Sequence, residues 1–305
     1  MATTYPPAHA RQDRHEQRER RPARLRSASG RLWRTSPLTY ITLVAALLLS
    51  VFPLYVMIVG ATESNDAIFK MPPSLVPGGR LTHNLQAVFS NVDANVAKGL
   101  LNSIIISSSV TVSVVFFSSL AGFAFAKLHF RGKNALLLVI LGSMMIPVQI
   151  GLIPLFLMMV KLGWENHLAA VIVPALVNGF GVFLMRQYAS QAVPDELIEA
   201  ARIDGSNTWG IYWHVVLPAL RPAAAVLGIF TFMQTWNDFL WPLVALQDPE
   251  NPTVLLSLRN LGNGYYQDYA QVFAGTAVAT VPLLIVFILL GRQIIGGIME
   301  GALKA

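Results

Sequence analysis

Long stretches without a single charged residue dominate the chain. They run over 35–62, 99–126, 134–160, 166–185 and 269–291, and a sixth lies between Arg221 and Asp248, broken only by Asp238. A helix needs about 20 predominantly apolar residues to cross a bilayer. Each stretch reaches that length, so six spans are expected, near 38–61, 100–126, 135–158, 167–187, 222–246 and 270–292. In hydrocarbon every backbone donor and acceptor must be bonded within the protein, which leaves helices or closed barrels. These stretches are too long for barrel strands and lack their alternation. The expected fold class is therefore all-α, a polytopic membrane protein.

Composition agrees. Of 305 residues, 54% are hydrophobic and 12% charged, against about 25% charged in a soluble domain. That excludes an ordinary cytosolic enzyme, a disordered chain and a disulfide-stapled module. The absence of cysteine removes disulfides and thiolate chemistry.

The net charge of +6 sits in one place. Residues 1–34 carry nine arginines against Asp13, Glu16 and Glu19, and the rest of the chain is neutral. A basic tail suits nucleic acid or a cytoplasmic membrane flank. Next to a membrane span the flank is the better account, so no nucleic-acid partner is expected. The 1–34 segment reads as a disordered cytoplasmic tail, ahead of a transmembrane domain over 35–305. With that tail inside, the inner segments hold 17 of the 22 lysines and arginines, so both termini are placed in the cytoplasm.

The span interiors carry Pro147, Pro154, Pro174, Pro242 and Pro282, with several glycines. Gly and Pro are commoner in membrane helices generally. They also suit bent helices around a transport pathway, and composition does not choose between the two. Asn102, Ser103, Ser107, Ser108, Ser109, Thr111 and Ser113 crowd the second span. Small and hydroxyl residues permit close helix contact, so this helix is expected inside the bundle.

The inner segment 193–218 carries most of the functional signal. Pro194 and Asp195 suit a helix start, with acidic residues in the first turn. Gly205 suits its end. Ser206 or Asn207 suits the cap of a second helix through Trp209, Ile211, Tyr212, Val215 and Val216, which Pro218 is expected to interrupt before the fifth span. Trp209, Tyr212 and Trp213 also suit a helix merely lying in the interface.

Glu199-Ala200-Ala201, then Gly205, then Val215 and Leu217-Pro218 resemble the EAA loop of permease subunits in ATP-binding-cassette importers. Trp236-Asn237-Asp238-Phe239-Leu240-Trp241-Pro242-Leu243 resembles the fifth-span signature of the carbohydrate-uptake type, the maltose MalG-like group. The ending Gly296-Gly297-Ile298-Met299-Glu300-Gly301-Ala302-Leu303-Lys304-Ala305 is similar to that group's tail, which usually closes in Lys-Gly.

This resemblance implies the type I importer permease fold in a cell membrane, multi-pass and surrounded by lipid. It also implies partners: a second homologous permease subunit, two ATPase subunits and an extracytoplasmic sugar-binding protein. Glu199, Ala200, Ala201, Arg202, Asp204, Gly205, Leu217 and Pro218 would form the ATPase-coupling site. The chain has no G-x-x-x-x-G-K-[ST]. No cofactor, metal or catalytic residue is expected on it, and ATP and Mg belong to the partner subunits.

Asp238 is the only acidic residue inside an expected span. Counting from Pro222 at about 1.5 Å per residue puts it near the outer interface. It suits a helix-end anchor, or a polar lining of the solute path with Gln234, Asn237 and Trp241. In the outer loop 249–268, Asn260, Asn263, Tyr265 and Tyr266 are candidate contacts for the binding protein. The expected cargo is a sugar or oligosaccharide. Glycerol phosphate or a polyol is the alternative, and a non-transport membrane scaffold is a third possibility.

Overall fold

The computed structural model describes residues 36–263 and 267–302, with side chains to 291. The basic tail over 1–34, Tyr265, Tyr266 and the side chains of the Gly-rich ending lie outside the described residues. The chain divides into two compact units, Met1–Tyr55 and Val56–Ala305. Described residues of the first are exposed throughout and helical from Pro37, including Leu38, Ile41, Leu47 and Leu48. Water would not tolerate such a surface, and a bilayer suits it.

Helix α1 covers Pro37–Thr62. The next loop holds α2 (Asn65–Ile68) and α3 (Leu81–Ser90). Helix α4 (Val96–Lys127) is the second span, and α5 (Lys133–Ser143) with α6 (Leu152–Lys161) forms the third. Then come α7 (Leu168–Ile172), α8 (Gly179–Ala192), α9 (Asp195–Ile203), α10 (Thr208–Ile211) and α11 (Leu217–Trp236). The chain continues through α12 (Leu240–Ala245) and α13 (Val254–Gly262) to α14 (Tyr269–Ala302). Among the described residues there is no strand.

Five continuous segments are long and apolar enough to cross a membrane: Pro37–Thr62, Val96–Lys127, Leu168–Ala192, Thr208–Trp236 and Tyr269–Gly291. The third expected span, 135–158, is not one helix. Its two halves are bent by 87° around a break that includes Pro147, where the missing N–H and the preference of the preceding residue for extended backbone stop a helix. The fifth span is also displaced. A continuous helical run covers Thr208–Trp236, and residues 240–245, expected in the same span, form the separate α12.

Helix α4 lies against α8 and α11, and α14 packs on α11 and α3. The main core gathers Ile106, Val110, Val114, Phe123, Met185, Tyr212, Leu220 and Leu227. Asn102, Ser103, Ser107, Ser118 and Ser119 of α4 are buried in protein, as small residues at a helix contact require. By contrast α5 and α6 expose Leu136, Leu138, Val139, Ile153 and Leu157, an apolar face suited to lipid.

The outer loop 249–268 is more structured than its polar composition suggests. It contains α13, whose Val254, Leu256, Ser257 and Leu261 are buried. The Asn102 amide donates to Pro252 O at 2.8 Å, and Val254 N donates to Ser103 Oγ at 2.9 Å. Polar residues of α4 thus satisfy the backbone that leads into α13.

Candidate coupling segment and solute path

Helix α9 begins after Pro194, with Asp195 and Glu196 in its first turn and Arg202 in its last. Both signs of charge match the helix dipole. Its end is a Schellman turn. Gly205 has φ +84°, Gly205 N donates to Arg202 O at 3.0 Å, and Ser206 N donates to Ala201 O at 2.9 Å. That pattern satisfies the last carbonyls and turns the chain sharply. Asn207 then caps α10, its side chain accepting from Gly210 N at 2.8 Å.

The resulting corner has an outside and an inside. Glu199, Ala200, Arg202, Asp204 and Gly205 are exposed, Ala201 is half-buried, and Ile198 is buried. At the tip, Ile203 is 87% exposed, and Leu197 of the same helix and Trp209 beyond the turn are exposed as well. Only the buried face of α9 is needed to hold the helix, so this outward face is free for a partner.

Three contacts hold the corner to the bundle. Ile198 enters the core. The Lys127 ammonium at the end of α4 lies 2.8 Å from the Asp195 carboxylate. Tyr212, 1% exposed, places its hydroxyl 2.7 Å from Ser119 Oγ on α4. Lys127 holds the Asp195 carboxyl below the usual carboxylate range, through a hydrogen bond and its charge.

Pro218 does not interrupt the second helix. A π-turn over Tyr212–Val216 leads directly into α11, with Pro218 in the first turn and exposed. A wider turn tolerates a missing amide proton that a strict α-helix would use. Leu217 beside it is half-buried. Tyr212 is a core residue and not an interface aromatic, whereas Trp209 and Trp213 stay largely exposed. Sequence reasoning missed Lys127, Ser119 and Ile203. The first two act across 68 and 93 positions of the chain, a separation no local pattern reports.

On the other side of α11, a cavity of about 450 Å³ is lined by Asn178, Phe180, Phe230, Thr231, Met233, Gln234 and Asn237. Gln234 and Asn237 thus share a wall. Asn178 is a further polar residue there, placed by its role as cap of α8, and Phe180 and Phe230 supply exposed rings. Asn178 Oδ1 accepts from Gly181 N and Asn237 Nδ2 donates to Met233 O, so the Gln234 amide and the remaining amide atoms, beside the aromatic faces, are what this open groove offers a polyhydroxyl solute.

Trp241 is not part of that wall. It is buried, and its indole N–H donates to Ala170 O at 3.0 Å, tying α12 to α7. Asp238 lies in the break between α11 and α12, where Trp241 N donates to its carboxylate at 3.4 Å. That is the geometry of a helix-end anchor. Asn260 donates to Asp93 O at 3.4 Å, and Asn263 ends α13, exposed.

Residues 114–296 match the model of the family described as binding-protein-dependent transport system inner membrane component. The lactose transport system permease protein LacG of Rhizobium radiobacter is 34% identical over 87% of this chain and 95% of its own length. The arabinooligosaccharides transport system permease protein AraQ of Halalkalibacterium halodurans is 40% identical over 67% of this chain and 72% of its own. The sn-glycerol-3-phosphate permease UgpE of Yersinia enterocolitica is 28% identical over 86% and 95%. The crystal structure of a bacterial ABC transporter involved in the import of alginate contains a chain of the same fold, with TM-score 0.73, 21% identity, and coverage of 88% of this chain and 98% of that one. With the match to the family model spanning more than half its length, this chain belongs to the inner membrane components of binding-protein-dependent transport systems.

Proposed function

We propose that this chain is the permease subunit of an ATP-binding-cassette importer that moves a sugar or oligosaccharide into the cell, driven by ATPase subunits docked on the Glu199–Gly205 corner. The observation that carries this is the corner itself. It is a short helix with an outward charged face, a left-handed turn at Gly205 and anchors into α4, on a chain of a binding-protein-dependent transport family. Lever-like transmission needs such a foot, because a docked motor moves the spans only through a stiff contact.

ATP and Mg act on two partner ATPase subunits in this account. A second, homologous permease completes the pathway, and an extracytoplasmic binding protein delivers the solute to the outer side. Glu199 and Asp204 pair with basic groups of the ATPase, and Ala200 lets its surface approach closely. Gln234 and Asn237 contribute to the solute path.

A glycerol-phosphate cargo is the second possibility, favoured by the similarity to UgpE. The cavity walls contain no lysine or arginine to pair with a phosphate, which favours the neutral sugar. The N-terminus of α8, capped by Asn178, is the one feature of the wall that suits an anion.

The decisive experiment is uptake in cells deleted for this chain and complemented with it or with Glu199→Lys. The labelled panel is lactose, an arabino-oligosaccharide, maltose and glycerol 3-phosphate. Restored uptake of a sugar, lost in Glu199→Lys at equal membrane abundance, is the expected result. Restored uptake of glycerol 3-phosphate alone shifts the cargo, and full uptake by Glu199→Lys removes the coupling role.

A further inference from the structure

The outer ends of the third and fifth spans meet at one side chain. Asn166 sits in the turn after α6 with φ +61°, in the left-handed region that asparagine and glycine tolerate. Its backbone N–H donates to Ala245 O at 2.9 Å, taking the orphan carbonyl at the end of α12. Its side-chain oxygen accepts from Gln247 N at 2.7 Å and Asp248 N at 2.9 Å. Its own carbonyl accepts from the Asn251 amide at 3.2 Å.

Four hydrogen bonds from one residue thus join two segments about 80 positions apart. Neither segment has a strand or long helix to fix it there. Asn166 Oδ1 is the acceptor for two successive backbone amides, a geometry that only a short side chain with a carbonyl or carboxylate oxygen reproduces.

We propose that Asn166 is a positioning residue that makes the outer turn 162–167 and the segment 245–251 move as one body, so that α6 and α12 are displaced together during transport. This rests on the permease role proposed above. Two loops held only by their own ends would move independently, whereas loops latched by four hydrogen bonds carry a displacement of either helix to the other.

The latch can be read directly, because the chain has no cysteine and labels go only where one is introduced. Glu165→Cys and Glu250→Cys, both at exposed positions on either side of the latch, are spin-labelled in the purified complex in nanodiscs. Their distance is measured without nucleotide and after trapping with ATP and vanadate. We expect one narrow distribution with the same mean in both states. Adding Asn166→Gly, which suits the φ and deletes only the acceptor, broadens it. Adding Asn166→Asp, which keeps the acceptor, restores the narrow distribution. A shift of the mean on trapping overturns the proposal. So does a narrow distribution in Asn166→Gly, or one as broad in Asn166→Asp as in Asn166→Gly. If no ATPase co-purifies and nothing is trapped, the permease role fails, while the nucleotide-free comparison of the two variants still decides the latch.

Discussion

Lys127 and Asp195 form an asymmetric ion pair. Their atoms lie 2.8 Å apart, yet the lysine side chain is 7% exposed and the aspartate 76%. The lysine stem is packed within the bundle and carries its charge outward to a partner that stands in water. Lys127 ends α4 and Asp195 opens α9, so each charge also sits at the helix end that favours it. Removing one partner is therefore unequal to removing the other. Asp195→Asn leaves a largely covered ammonium without its counter-charge, and Lys127→Met leaves a carboxylate that water already solvates. Thermal unfolding of the purified variants should show Asp195→Asn as the more destabilised. The opposite order would mean that the covered stem, and not the charge, holds α9.

The same pair gives a pH dependence of known sign. Lys127 lowers the Asp195 pKa in the folded chain, so the unfolded state takes up its proton first as the pH drops. The stabilisation is fully present above the ordinary carboxylate value of about 3.9 and is lost as the pH falls through the lower folded value. Unfolding temperatures of wild type and Asp195→Asn should differ by a constant amount from neutral pH down to that range, then converge below it. A gap that closes nearer neutrality would assign the effect to another group.

Close packing of α4 on α8 makes Gly122 a sensitive position. A Cβ there would lie 2.6 Å from Met185 Cβ, 2.7 Å from Met185 C and 2.8 Å from Arg186 N. Two of these are backbone atoms, which cannot rotate away. Gly122→Ala should therefore push the helices apart and cost about 1–3 kcal/mol. Gly142 in α5 has nothing within 4 Å of the same built atom. Gly142→Ala should be neutral or should stabilise by up to about 1 kcal/mol. Denaturation of both variants in one detergent tests the contrast, and equal behaviour would contradict the close approach at Gly122.

Much of this was legible in the sequence, and the reasons differ by element. Charge-free length reports that a segment lies in lipid, so α1, α4 and α14 were placed well. Length carries no direction, so the 87° bend between α5 and α6 was hidden, although Pro147 marks the place. The corner at Gly205 was legible because a Schellman turn is written in consecutive residues. Trp241, a candidate for the solute path, lies outside the wall that holds Gln234 and bonds Ala170 O, and an amphipathic aromatic in the sequence suits a sugar and a buried carbonyl equally. Only the position of Ala170 decides between them. Asn178 and Phe180 were not found, since they join Gln234 through packing between α8 and α11.

The hydroxyl pair of Ser119 and Tyr212 has a direction. Ser119 Oγ lies 2.8 Å from Phe116 O as well as 2.7 Å from the tyrosine oxygen. A serine has one proton, and the carbonyl can only accept, so the proton goes to Phe116 O and Tyr212 donates to Ser119. Tyr212→Phe then removes a donor and leaves the serine still bonded, at a cost of about 1 kcal/mol. Ser119→Ala strands a buried tyrosine hydroxyl and should cost more, about 1–3 kcal/mol. The double variant should be no worse than Ser119→Ala alone. Additive losses in the double-mutant cycle would show that the two hydroxyls do not bond.

Gly205 separates stability from the coupling role proposed for this corner. Its φ of +84° lies where side chains are strained, but a built Cβ meets nothing within 4 Å. The penalty of Gly205→Ala is thus backbone strain alone, about 1–2 kcal/mol. It falls on a corner whose outward side is solvent, so the spans should keep their unfolding temperature within a few degrees while the angle between α9 and α10 relaxes. Gly205→Asn adopts the left-handed turn at lower cost. In the uptake assay Gly205→Ala should lose most of the transport that Gly205→Asn retains, at equal membrane abundance. If both variants transport alike, the turn at Gly205 contributes nothing to the proposed coupling.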